Sequence, residues 1–177
     1  MSAALWLADK IDGLGRGIGY LAILCLPVIV LLGGSVVVLR YGFQLGFPWL
    51  SESFVWLNGL VITLGASYLM IENKHVRVDV LYTRLSERGR AVVTVFGVLF
   101  LLWPAMYVIG TASWNAVLRS VFSLEMSPSI DGLPFMYVMK AAVPAFCVLV
   151  SLQGLSDLIR AVHLLGNSGG EGARDHG

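Results

Sequence analysis

The sequence predicts an all-α membrane protein: four transmembrane helices with short amphipathic interfacial segments. Composition and the spacing of charge predict it. Of the 177 residues 57% are hydrophobic and only 13% charged, about half the charge of a typical soluble domain, which runs near 25%. Residues 18–39, 54–71 and 91–112 hold no charged side chain, and 135–158 holds two, Lys140 and Asp157, one near each end. A helix needs roughly 20 apolar residues to cross a hydrocarbon core of about 30 Å. Each block meets or approaches that length, so the spans are placed at about 18–39, 54–71, 91–113 and 135–158, within one membrane domain covering 18–162.

Residues 1–17 read as an amphipathic segment. Leu7, Ile11, Leu14 and Ile18 fall on one helical face, while Asp9, Lys10, Asp12 and Arg16 fall largely elsewhere. Gly13, Gly15, Gly17 and Gly19 weaken the helix and suit a bend between an interfacial direction and the first span; a flexible N-terminus is the alternative. The first connector is aromatic, with Tyr41, Phe43, Phe47 and Trp49, as the membrane–water boundary favours. Ser51 is a candidate N-cap for the second span, and Glu52 then lies in its first turn, where the helix dipole favours an acid.

The second connector carries the chain's densest internal charge, Glu72 to Tyr82. Val78, Leu81 and Leu85 share a helical face that Asp79 is placed to cap, which predicts a short interfacial helix. His75, Arg77 and Asp79 could instead form a proton relay or part of a metal site. One histidine with one acid is a poor metal set, so anchoring to lipid phosphate or to a partner's acid is favoured. Turns are expected at Ser127-Pro128-Ser129 and Asp131-Gly132-Leu133-Pro134 in the third connector. The tail, 163–177, is polar and reads as disordered.

The fourth span is the most patterned. Lys140, Pro144, Cys147, Ser151 and Gly154 recur on one face, the small-residue stripe that close helix contact in lipid requires. Lys140 either snorkels to the headgroups or pairs with an acid on another subunit. Gln153 and Asp157 lie four apart, with Arg160 one turn on. In the second span Gly59, Thr63 and Ala66 make a similar stripe, with Asn58 able to bond across helices.

Nine of the 12 Lys and Arg residues fall in the N-terminal segment, the second connector or the C-terminal end; Arg40, Arg119 and Lys140 mark the opposite side. By the positive-inside rule both termini are cytoplasmic, in a multi-pass inner-membrane protein. No basic stripe suggests nucleic acid. Cys25 and Cys147 sit inside apolar blocks without Cys-x-x-Cys spacing and read as packed thiols. No span contains a histidine to ligate haem, no paired cysteines serve disulfide exchange, and no acid sits mid-membrane. The chain reads as a partner without an active centre or cofactor of its own.

Those residues resemble the small membrane subunit (DctQ-like) of tripartite ATP-independent periplasmic (TRAP) transporters, over about residues 41–162. Leu64-Gly65-Ala66-Ser67-Tyr68 leading to His75-Val76-Arg77-Val78-Asp79 is similar to the family's Gly-Ala segment and its His-x-Arg-x-Asp pattern. Trp49 to Glu52 with Trp56 is similar to its Trp-x-Glu-Glu segment, although Ser53 replaces the second acid and the following Arg is missing. Gly132-Leu133-Pro134, Lys140, Pro144 and Gln153-Gly154-Leu155 look like its last span. The resemblance implies a heteromeric secondary transporter: a periplasmic solute-binding protein captures an organic acid or related solute, and a large membrane subunit moves it inward, driven by sodium that this chain does not bind. Trp49, Glu52, Trp56, His75, Arg77, Asp79, Lys140, Ser151 and Gln153 are then expected to serve the partner interface or lipid anchoring. A stand-alone channel or exporter, and an anchor subunit for a redox enzyme, are the competing readings.

Overall fold

The computed structural model describes residues 3–72 and 86–171, with side chains as far as 166. Its elements are α1 (Ala3–Val37), a π turn at Val38–Gly42, α2 (Pro48–Ile71), α3 (Glu87–Phe96), a π segment at Gly97–Leu102, α4 (Trp103–Phe122) and α5 (Met136–Glu171). Four stretches are long and apolar enough to cross a membrane: Ala3–Gly42, Pro48–Ile71, Glu87–Phe122 and Met136–Gly166. His75, Arg77, Asp79 and the expected interfacial helix lie outside the described residues.

The helices run beyond the charge-free blocks because absence of charge marks the hydrocarbon, whereas backbone hydrogen bonding continues into the headgroups. At 1.5 Å per residue, α1 is about 52 Å long against a core of about 30 Å. Ser51 is not the cap of α2. The helix opens one turn earlier, with Phe47 at the cap position and Pro48 at the first helical residue, where its missing N–H costs nothing. Ser86 caps α3 by accepting from the Gly89 N–H at 3.2 Å. Within the third span the π segment precedes Pro104, whose ring cannot donate to the preceding turn; widening that turn accommodates it.

The glycines near the N-terminus do not bend the chain, since α1 is one continuous helix from Ala3 to Val37. They are where α2 comes closest. A Cβ at Gly15 would sit 2.6 Å from Ile71 Cδ1, one at Gly19 2.3 Å from the Tyr68 ring, and one at Gly33 3.0 Å from the Phe54 ring. The order shows α1 and α2 packing antiparallel along their length. Each glycine lowers helix propensity by about 1 kcal/mol; in lipid, close van der Waals contact outweighs that cost.

α5 is the hub, packing against α1, α2, α3 and α4. Of its apolar stretch 28% is buried, against 6% in each of the other three spans. The small-residue stripe faces the third span. A Cβ at Gly154 would meet Leu102 at 3.0 Å and Val98 at 3.4 Å, the Trp103 Nε1–H donates to the Ser151 carbonyl at 3.4 Å, and Cys147 is buried beside Gly110.

Candidate functional site

Three polar clasps hold this bundle, one at the end that carries the termini and two at the opposite end. At the terminal end the centre is Asp12 of α1. Its Oδ1 accepts from Gln153 Nε2 at 2.9 Å and Ser156 Oγ at 2.6 Å, and its Oδ2 from Arg160 Nη2 at 2.7 Å. Arg160 also donates to Asp9 Oδ1 at 2.7 Å, and Ser156 Oγ approaches the Ala8 carbonyl at 3.3 Å. Gln153, Ser156 and Arg160 follow at i, i+3 and i+7, so one face of α5 presents all three donors to α1. Ala8 and Ser156 are fully buried and Gln153 is 2% exposed, its Oε1 left without a partner.

The second clasp joins Glu52, in the first turns of α2, to the third connector. Its Oε1 accepts from Ser127 Oγ and its Oε2 from the Leu133 N–H at 2.7 Å. Gly132 lies over this contact, where an added Cβ would stand 2.8 Å from Glu52 Oε1, so no side chain fits there. The connector closes with Ser127 N–H donating to the Leu133 carbonyl at 3.1 Å, and Asp131 takes the left-handed conformation (φ 60°) that Asp tolerates.

The third clasp is the ion pair of Lys140 Nζ with Glu125 Oε2 at 2.5 Å. Lys140 thus meets an acid in the same chain, on the turn just past α4. The ammonium holds the Glu125 carboxyl below its usual range. Leu124, beside it, has φ 46°, a left-handed conformation held by the pair and by Glu125 N–H donating to the Ser120 carbonyl at 3.0 Å.

Among the sequence-chosen residues, Glu52, Lys140 and Gln153 therefore have their polar groups bonded within the chain. Ser151 contributes its backbone carbonyl, Trp49 is 46% exposed with its ring 6.2 Å from Phe47, and Trp56 is half-buried. Asn58 is exposed and, among the described residues, bonds to no neighbouring helix. Sequence reasoning missed Asp9, Asp12, Ser156, Glu125 and Ser127 as clasp members. The i, i+3, i+7 spacing of Gln153, Ser156 and Arg160 was a usable signal; nothing in the sequence paired it with Asp12, 141 residues from Gln153. Among the described residues no group of three or more His, Cys, Asp or Glu side chains is placed to hold a metal.

What remains outside is apolar. Leu31 and Val30 of α1, Leu101 in the π segment and Tyr107 of α4 are each more than 70% exposed. A groove between α4 and α5 runs past Tyr107, Gly110, Pro144, Cys147, Val148 and Leu155. A chain whose polar groups meet each other and whose surface suits lipid and other helices is arranged to stand in a membrane beside other proteins.

Comparison with known proteins agrees. The family model described as "Tripartite ATP-independent periplasmic transporters, DctQ component" matches residues 22–164. A Haemophilus influenzae protein named as a TRAP transporter small permease is 32% identical over 152 residues, covering 82% of this chain and 89% of that protein. No solved structure matches the chain. Four membrane-spanning helices and a match over most of its length place this chain in the DctQ family of TRAP transporter small permease subunits.

Proposed function

We propose that the chain is a static frame for a sodium-driven uptake system: it packs on the scaffold of a large membrane subunit, and a periplasmic binding protein delivers an organic acid or related solute. The observation that carries this reading is that, among the described residues, the charged groups of the three clasps bond to each other and to the chain itself. A transporting chain keeps ionisable or oxygen-rich groups free along a pathway near the midplane. Here Asp12, Gln153, Ser156 and Arg160 are spent on each other at one end, and Glu52, Glu125 and Lys140 at the other. The exposed apolar faces of the first three spans supply the packing area such a frame needs, and extra helices enlarge its hold on the bilayer.

The charge distribution supports cytoplasmic termini, with the Asp12 clasp at the inner face and the Glu52 and Lys140 clasps at the outer one. Cysteine accessibility in spheroplasts checks it: an exposed cysteine at Ile130 is labelled by an impermeant maleimide and one at Gly166 is not. Proteoliposomes test the function. Solute uptake under an inward sodium gradient is expected only when this chain, the large subunit and the binding protein are all present. Transport by this chain alone would overturn the proposal, as would full uptake in its absence.

A further inference from the structure

The connector from α1 to α2 builds a hollow that the packing of the bundle does not fill. The Leu39 carbonyl accepts from both the Phe43 N–H at 3.2 Å and the Leu45 N–H at 2.9 Å, and Gln44 between them takes φ 56°. The chain thereby folds back before α2 begins at Pro48, leaving a cavity of about 260 Å³ walled mainly by Val36, Leu39, Leu45, Phe47 and Leu50. Arg40 lines it too. Its side chain is exposed and, among the described residues, meets no acid and no acceptor. Glu52, Glu125 and Lys140 at the same end are engaged within the chain, and Arg119 donates to the Asn115 carbonyl at 3.2 Å. Tyr41, Phe43 and Trp49 stand exposed around the rim, the residue types that settle at headgroup depth.

A free guanidinium beside an apolar hollow, at the level of an aromatic belt, suits a ligand that is anionic at one end and hydrocarbon at the other. We infer that this cavity binds one anionic phospholipid, its phosphate on Arg40 and its glycerol and upper acyl carbons against Val36, Leu39 and Leu45. A carboxylate from a partner protein would satisfy Arg40 but leave the hollow unfilled, and so would free phosphate. The bond would also fasten the end of α1 to α2 through a lipid.

Native mass spectrometry of the full chain released from detergent tests this, with phosphatidylglycerol and a diacylglycerol of the same chains as probes. One phosphatidylglycerol is expected to be retained with at least tenfold preference over the diacylglycerol. Arg40→Gln should abolish that preference, and Val36→Phe, which fills the hollow and leaves the charge, should weaken retention severalfold. Both variants should keep the wild-type melting temperature in micelles. Equal retention of the two probes overturns the inference, as does retention unchanged by Arg40→Gln. Displacement by millimolar inorganic phosphate would reduce the site to an anion site. If Arg40→Gln lost the large subunit from a co-purified complex while keeping its lipid, Arg40 would be a protein contact instead.

Discussion

Asp12 accepts three hydrogen bonds from α5, and its side chain is 14% exposed, so its removal leaves Gln153, Ser156 and Arg160 short of an acceptor at once. Interhelical hydrogen bonds in membrane proteins average about 0.6 kcal/mol and reach about 2. Asp12→Ala is therefore expected to cost about 2–3 kcal/mol in detergent unfolding. Gln153→Ala should cost about 1 kcal/mol, because it gives up one bond and also removes an unpartnered buried oxygen. Equal effects of the two would contradict Asp12 as the centre. Glu125 behaves differently because it is only half-buried. Its carboxyl, held by Lys140 below the ordinary value of 4.5, binds a proton less readily folded than unfolded. The stabilisation is thus complete above about pH 4.5 and is lost as pH falls through the lower folded value. A spin label at Ile130, on the connector between the two clasps, should gain mobility in that acid window. Glu125→Gln should raise mobility partway already at pH 7, and acidification should add the part held by Glu52, whose carboxylate accepts from Ser127 and Leu133.

Among the elements, α1 and α2 depend on glycine only where they touch. Gly19→Leu forces a side chain into the Tyr68 ring and is expected to destabilise by about 1–3 kcal/mol. Gly17→Leu, with nothing within 4 Å, should stay within about 0.5 kcal/mol. A chemical-denaturation pair in one detergent decides between this packing role and a hinge, which both substitutions would stiffen alike. The third connector depends on Glu52. Glu52→Ala removes the charged acceptor of the Leu133 N–H, so exchange of that amide should quicken. Glu52 was legible in the sequence as a first-turn acid, but its target was not. The dipole argument concerns the helix it stands on, whereas the carboxylate reaches a loop 81 residues away.

For the molecule as a whole, α5 holds the other helices, and the surface they leave is apolar on all but its ends. That division explains which parts were readable. The four spans follow from the cost of placing charge or unbonded backbone in hydrocarbon, a cost each residue carries wherever its neighbours lie. The number of helices, their approximate positions and the family motifs therefore stand in the order of the residues alone. Partners are different. Gly15 and Gly19 read locally as breakers, and only the approach of Tyr68 and Ile71 makes them contact points. Lys140 shows no partner in the order of the residues, and only the fold sets Glu125 2.5 Å away. Asp12, Ser156 and Arg160 are unremarkable surface residues until α1 and α5 lie side by side. Solvent sets the first kind of information, one residue at a time. Pairing across helices depends on distances that no single segment specifies, and the tertiary structure alone decided it.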